Sequence, residues 1–132
     1  MELDLSGIPI LVVDDEATTR ELLVRILKRI GFSDIAEAAD GGEAFERVSV
    51  NLPAVVFCDL HMQPVDGLTF LAKLRYSEVP NLKSLPVVML TSDMRDEAVD
   101  MANTLRATEY IVKPATRLEV KAAVEKALGI EL

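Results

Sequence analysis

The sequence predicts an α/β protein with a parallel sheet of five strands and helices on both faces. Short apolar runs alternate along the chain with amphipathic segments, and three of the runs are almost wholly apolar, as in strands covered on both faces. The chain has 132 residues, of which 50% are hydrophobic, which suits one domain with a core of its own. Alternation of strands and helices favours right-handed crossovers and therefore parallel strands.

The first half of the chain is predicted to contain three strands and two helices. The apolar runs that predict the strands are Ile8–Val13, Ile35–Ala38 and Ala54–Cys58. Residues at helical spacing predict the inward face of the first helix: Leu23, Ile26, Leu27 and Ile30. That helix is predicted to begin with a capping box at Thr18–Glu21 and to end at Gly31. The second helix opens at Asp40, and its inward residues are Ala44, Phe45 and Val48.

The second half adds two strands and three helices. The strands are Pro86–Leu90 and Tyr110–Val112. The third helix follows Asp66-Gly67, and the fourth has apolar residues at helical spacing: Ala98, Met101, Ala102 and Leu105. The fifth begins with a capping box, Thr116 to Glu119, and ends at Gly129. The connection Tyr76–Leu85, which contains Pro80 and Asn81, is predicted to be a surface loop.

The composition excludes several classes of site and partner. One cysteine, Cys58, and one histidine, His61, exclude an intramolecular disulfide and zinc sites built from several such ligands. The chain has 22 acidic and 14 basic residues, so its formal net charge is −8. This charge argues against binding to nucleic acid or anionic lipid and favours a basic partner or a metal ion. No membrane-length apolar stretch and no signal peptide is present, so a cytoplasmic protein is expected.

Polar residues stand where the predicted strands end. Strand one is followed by Asp14 and Asp15, strand three by Asp59, strand four by Thr91 and strand five by Lys113. In an open parallel sheet these ends form one edge, where ligands bind. Carboxylates that share a site favour a hard cation such as Mg²⁺. An aspartate is also a competent nucleophile toward phosphorus, and a lysine and a hydroxyl can stabilise phosphoryl oxygens, so the set suits phosphoryl transfer.

These residues carry a family resemblance. The motifs, in order, are Val12-Val13-Asp14-Asp15-Glu16, Asp59-Leu60-His61-Met62, Asp66-Gly67, Thr91-Ser92 and Tyr110-Ile111-Val112-Lys113-Pro114. From Ile8 to Leu128 the chain resembles a receiver domain of bacterial two-component response regulators. The resemblance implies a three-layer (βα)5 flavodoxin-like sandwich with strand order 2-1-3-4-5. It also implies a single receiver domain over residues 1–132 of the stand-alone, chemotaxis type, with no output domain.

The resemblance also implies a role for each site residue. Asp59 would be the phosphoacceptor, and Lys113 would contact the phosphoryl group. The peptide bond between Lys113 and Pro114 would be cis. Mg²⁺, with Mn²⁺ as a substitute, would be bound by the side chains of Asp15 and Asp59 and the backbone carbonyl of His61, and by Asp14 through water. Thr91 and Tyr110 would form a switch pair.

The implied function is signalling. The donor would be a phosphohistidine on a histidine kinase or a histidine phosphotransfer protein, in a two-component pathway or a phosphorelay. The modified chain would then change its affinity for a downstream effector protein at the face made by the fourth predicted helix, the fifth strand and the fifth helix. Because the chain modifies only itself, it is not expected to be an enzyme.

Three features depart from the family pattern or are variable in it. The proline after the phosphoacceptor is displaced by one position, in Met62-Gln63-Pro64, which predicts a reshaped loop. Leu105-Arg106-Ala107 places an arginine where the family often has glycine, which is unfavourable if φ is positive there. His61, Ser92 and Asp93 would flank the mouth of the site. His61 and Asp93 either pair across it and slow loss of the phosphoryl group, or are independent solvated side chains.

Alternative functions remain open at this point. A haloacid-dehalogenase-type phosphatase would carry an aspartate where His61 stands, and it would need a cap domain. A flavin carrier would need a phosphate loop after strand one, where Asp14 and Asp15 repel phosphate. An interaction module independent of phosphorylation would not need the complete acidic set. Cys58 is predicted to be a buried core residue and not a redox sensor.

Overall fold

The computed structural model describes residues 3–132 and contains the predicted five-stranded parallel sheet. The strands are β1 (Ile10–Val13), β2 (Ile35–Ala38), β3 (Val55–Asp59), β4 (Val87–Thr91) and β5 (Glu109–Val112). Their order in the sheet is β2-β1-β3-β4-β5, and every neighbouring pair is parallel. The fold class and the strand order are therefore confirmed.

Six helices lie between the strands or after the last of them in the described part of the chain. They are α1 (Ala17–Ile30), α2 (Gly41–Val50), α3 (Gly67–Arg75), α4 (Pro80–Lys83), α5 (Glu97–Thr104) and α6 (Arg117–Leu128). The predicted fourth and fifth helices are thus α5 and α6. The prediction of a plain loop over Tyr76–Leu85 is wrong, because Pro80 stands in the first turn of the short α4.

The helix ends were predicted with mixed success. The capping box of α6 is present in full between Thr116 and Glu119, and Asp40 caps α2. The capping box predicted at Thr18 is wrong, since α1 begins at Ala17 and its N-cap, Glu16, makes no side-chain capping bond. On α5 the periodicity also misleads for Met101, which is 53% exposed while the next residue, Ala102, is buried.

The core consists of two apolar layers, one on each face of the sheet. Alternate strand residues point to opposite faces. One layer joins Leu11, Val56 and Met89 to helices α2, α3 and α5, and it includes Cys58, which is fully buried as predicted. The other joins Val12, Phe57 and Ile111 to helices α1 and α6. Within residues 3–132, no helix is both long enough and apolar enough to cross a bilayer.

A buried arginine holds the end of the sheet where the chain enters β4 and β5. The guanidinium of Arg75, at the end of α3, donates to the carbonyl oxygens of Lys83 (3.0 Å), Leu85 (2.9 Å), Leu105 (2.8 Å) and Arg106 (3.0 Å). Arg106 follows α5 with φ of +60°, the left-handed conformation that commonly ends a helix and favours glycine. The positive φ that would make arginine unfavourable at this position is therefore present.

Candidate functional site

Three carboxylates meet at the carboxyl ends of β1 and β3. Asp14 and Asp15 directly follow β1, and Asp59 is the last residue of β3. The two strands are neighbours in register, with Val13 opposite Cys58, so the acidic residues leave the sheet side by side. One carboxylate oxygen from each residue lies within 4.8 Å of the others. The structure therefore brings together the three acidic residues that the sequence predicted.

Lys113 lies between two of these carboxylates. Its Nζ is 3.1 Å from Asp14 Oδ2 and 3.0 Å from Asp59 Oδ2. Its backbone N–H donates to the carbonyl oxygen of Thr91 (2.8 Å), which fixes the end of β5 beside β4. The Lys113-Pro114 peptide bond is cis, as the family resemblance predicted. The lysine charge offsets part of the repulsion among the carboxylates.

Burial and charge shift the pKa values of this pair in a consistent way. Burial raises the pKa of the Asp59 carboxyl, and the hydrogen bond and charge of Lys113 only partly oppose that rise. For Lys113, burial acts to lower the pKa, but the hydrogen bond and charge of Asp59, followed by those of Asp14, raise it above its ordinary value. Lys113 is therefore protonated at neutral pH, and an additional cation would favour ionised Asp59.

The donor set fits a hard divalent cation. Mg²⁺ binds oxygen ligands at about 2.1 Å, so oxygens on opposite sides of the ion stand about 4.2 Å apart. The spacing of the oxygens of Asp14, Asp15 and Asp59 is compatible with that geometry. The backbone N–H of Gln63 donates to Asp15 Oδ2 (3.3 Å), so the loop after β3 contacts the same cluster. An acidic site of this kind can bind a metal ion and, through it, a phosphoryl group.

Thr91 and Tyr110 lie on neighbouring strands next to the acidic site. The Thr91 hydroxyl is buried and donates to the carbonyl oxygen of Asp93 (3.0 Å), while it accepts from the N–H of Asp93 (3.2 Å). The half-buried Tyr110 ring packs against the core layer under α5, and its hydroxyl is 3.4 Å from the carbonyl oxygen of Val99 on that helix. Thr91 thus orders the loop that leads into α5, and Tyr110 contacts the helix itself.

The sequence of this region matches a known family. Residues 10–125 match the family model described as the response regulator receiver domain. The chain belongs to the response regulator receiver domain family. The match spans all five strands and most of α6, so it includes each of the site residues described above.

Individual relatives support the same assignment of this receiver domain. The chemotaxis protein CheY1 of Helicobacter pylori is 34% identical over 121 residues, which are 91% of this chain and 96% of that protein. The chemotaxis protein CheY4 of Vibrio cholerae has a TM-score of 0.82 at 26% identity, over 92% of this chain and 98% of that one.

A further solved structure shows the same fold with a metal ion. The receiver domain of sensor histidine kinase PA1611 of Pseudomonas aeruginosa has a TM-score of 0.85 at 21% identity, over 95% of this chain and 100% of that one. Its structure contains a magnesium ion coordinated in the active-site cleft. At 21% identity, this comparison shows that the two chains share a fold and shows nothing further about our receiver domain.

Of the two alternatives for His61 and Asp93, the structure contradicts the ion pair between them. Asp93 instead pairs with Arg95, whose Nη2 is 2.9 Å from Asp93 Oδ2. His61 Nε2 contacts Asp96 Oδ2, the carboxylate that also caps α5 by accepting from the N–H of Ala98 (2.9 Å). The Thr91 hydroxyl binds the backbone of Asp93 while Arg95 binds its side chain, and the residue three positions later contacts the imidazole. The hydrogen bonds from His61 and then Ala98 lower the pKa of Asp96.

Other residues near the site were missed or left undecided by sequence reasoning. Asp96 was not predicted, although an aspartate before Glu97-Ala98 is a common helix N-cap signal. The reshaped Met62-Gln63-Pro64 loop buries Met62, contains a cis Gln63-Pro64 bond and binds Asp15 through Gln63, and the acidic cluster is retained. Ser92 is exposed at the start of the β4–α5 loop. Side-chain exposure of 59% places His61 in solvent, as predicted.

Proposed function

We propose that this receiver domain accepts a phosphoryl group on Asp59 from a phosphohistidine and then changes its affinity for a downstream protein. The donor is a histidine kinase or a histidine phosphotransfer protein. The observation that carries the proposal is Lys113, whose ammonium bridges the buried Asp59 and Asp14 at the edge of the sheet. The direct test is transfer of labelled phosphate from a phosphorylated histidine phosphotransfer protein to this chain with Mg²⁺; a chain that stays unlabelled contradicts it.

The proposal gives each site residue a role. Asp59 is the nucleophile, and its oxygen attacks phosphorus as the bond to the imidazole nitrogen of the donor breaks. Lys113 moves from the Asp59 carboxylate to a phosphoryl oxygen, and Thr91 donates to another. Asp15, Asp59 and the backbone carbonyl of His61 would hold Mg²⁺, or Mn²⁺ in its place, with Asp14 acting through water. The metal ion, when bound, neutralises charge on the phosphoryl oxygens.

The proposed signal passes from Thr91 to Tyr110. When the Thr91 hydroxyl turns toward the phosphoryl group, it must leave its two hydrogen bonds with Asp93, so the loop before α5 is released. The Tyr110 ring then turns inward and loses its contact with Val99. The face formed by α5, β5 and α6 changes shape, and the phosphoryl group shifts this two-state equilibrium by its differential contacts.

Replacing Thr91 by alanine should separate phosphorylation from switching. We expect Thr91→Ala to be labelled by acetyl phosphate and Mg²⁺, because Asp59 and Lys113 remain, but to show little response on the α5–β5–α6 face. Backbone amide NMR shifts at Val99 and Tyr110, before and after phosphorylation, measure that response. Thr69→Ala, an exposed change of the same kind on α3, should respond as the wild type does. A full response in phosphorylated Thr91→Ala would contradict the route.

The contact between His61 and Asp96 should prolong the phosphorylated state. It joins the loop after β3 to the N-terminus of α5 across the mouth of the site, where water must approach the acyl phosphate. We expect His61→Ala and Asp96→Asn each to lose phosphate faster by a few-fold, the modest size that a partly exposed pair supports. Asparagine keeps the helix cap, so the fold of α5 is retained.

A double variant and a matched control sharpen this measurement. If the two residues act through their contact, the double variant should lose phosphate no faster than the faster single variant. Asp93→Asn should keep the wild-type rate, because Asp93 pairs with Arg95 and not with His61. Unchanged rates in His61→Ala, or an equal effect of Asp93→Asn, would show that the contact does not gate hydrolysis.

A further inference from the structure

A cavity lies at the edge of the sheet opposite the phosphoacceptor. It has a volume of about 500 Å³ and is lined by Arg75, Pro80, Lys83, Ser84, Arg106 and Thr108. These residues come from the end of α3, from α4 and from the segment that enters β5. They stand at the amino ends of β4 and β5, whereas Asp59 and Lys113 stand at the carboxyl ends of their strands. The cavity is therefore separate from the acidic site.

The lining of this cavity is positively charged in a protein of net negative charge. Three of its six lining residues are cations, Arg75, Lys83 and Arg106, although the chain carries a formal charge of −8. Within residues 3–132, none of the three forms an ion pair with a carboxylate. What distinguishes the three from other unpaired basic residues is that they line one cavity and that Arg75 is buried in its wall, so an anion in the cavity would meet all three charges.

Arg75 shows that this charge is partly desolvated. The residue is buried, and its guanidinium is held by neutral carbonyl oxygens, which satisfy hydrogen bonds without cancelling the charge. Burial lowers the pKa of Arg75, and the nearby positive charge of Arg106 lowers it further. An anion in the cavity would stabilise both cations, because opposite charge in a partly buried site favours their charged forms.

Arg106 supplies a second, independent observation. Its φ of +60° is a conformation that glycine adopts without strain and that other residues adopt at a cost. The local backbone therefore does not explain an arginine at this position. Its side chain is exposed at the rim of the cavity, where it adds a third positive charge. A strained residue that lines a concave cationic site indicates a binding role.

We propose that this cavity binds a small phosphate-bearing anion. The exposed guanidinium of Arg106 can match the oxygens of phosphate, and Lys83 adds a compact charge. Arg75 contributes mainly its charge, because four of its N–H donors are held by carbonyl oxygens. A di- or polyphosphate carries enough negative charge to balance Arg75, Lys83 and Arg106, and the volume lies in the range of small-molecule sites. The Thr108 hydroxyl, which accepts from the N–H of Val87 (3.1 Å), has its own proton to donate. The source is either an inorganic polyphosphate or a nucleotide with such a chain.

Calorimetric titration without Mg²⁺, in the presence of a chelator and at constant ionic strength, tests the proposal. The probes are pyrophosphate and ATP; tighter binding of ATP would show that the organic part is also bound, and equal binding would point to the phosphate chain alone. We expect saturable binding with one ligand per chain. Arg106→Gly should weaken it by about tenfold or more, because a charge-assisted contact is lost. Glycine relieves the backbone strain at this position, so the variant should fold.

Two further variants decide the place of binding. Arg25→Ala removes one exposed positive charge from the middle of α1 and should bind the probes as the wild type does. Asp59→Asn should also bind unchanged, which separates this site from the phosphoacceptor. The proposal is overturned if neither probe saturates, if Arg106→Gly binds like the wild type, if Arg25→Ala weakens binding as much, or if Asp59→Asn loses it.

Discussion

Replacing Asp59 by asparagine should abolish phosphorylation of the chain. The change keeps the size of the side chain but removes the only carboxylate at the end of β3, and an amide is not a competent nucleophile toward phosphorus. Asp14 and Asp15 should not take over, because in the proposed function both act on the metal ion, Asp15 directly and Asp14 through water. Incubation with labelled acetyl phosphate and Mg²⁺, and with a phosphorylated histidine phosphotransfer protein, measures the loss.

The conditions and the control for this experiment follow from the site. Chelation of Mg²⁺ should slow labelling of the wild type by roughly a hundredfold or more, since a metal ion contributes several kcal/mol and about 2.7 kcal/mol is a hundredfold. Asp34→Asn, an exposed change at the other edge of the sheet, should be labelled normally. If Asp59→Asn were labelled as strongly as the wild type, another residue would be the acceptor.

The parts of the structure that the sequence predicted are those with a local signal. Apolar runs of strand length predicted the five strands of the sheet. The polar residues at the ends of four of these runs predicted the site residues Asp14, Asp59, Thr91 and Lys113. Because the carboxyl ends of parallel strands share one edge, knowing the ends was enough to predict the cluster, without any knowledge of distances. The capping box of α6 was predictable for the same reason, since both of its partners lie within four residues.

The parts that were not predictable depend on contacts between distant segments. His61 and Asp96 are 35 positions apart, and the carboxylate that contacts the imidazole depends on the path of the loop between β4 and α5. Arg75 resembles an ordinary basic residue at the end of a helix, yet it is buried because carbonyl oxygens from two other segments converge on it. Spacing within one segment contains no information on such partners.

Gly67 is another residue whose importance became visible only in three dimensions. It follows the Asp66 cap at the start of α3, and its N–H donates to the carbonyl oxygen of Leu60 (3.1 Å), which closes the loop after the phosphoacceptor. A Cβ at this position would stand far inside van der Waals contact with the backbone carbonyl of Asp59 and 3.0 Å from Met89 Cε. The helix therefore approaches the strand too closely for any side chain.

Replacing Gly67 by alanine should consequently destabilise the whole protein and disturb the site. Overpacking typically lowers the free energy of unfolding by about 1–3 kcal/mol. We expect a loss at or above the upper end of that range, because the added methyl group would meet the backbone of Asp59, which cannot rotate away as a side chain can. Urea denaturation measures the free energy of unfolding, and labelling by acetyl phosphate should fall with it as the Asp59 backbone shifts. Gly7→Ala is the matched control, since a Cβ at Gly7 meets nothing within 4 Å. Equal stability of the two variants would show that α3 can move away from β3 at little cost, and the close approach would then not define the phosphoacceptor loop.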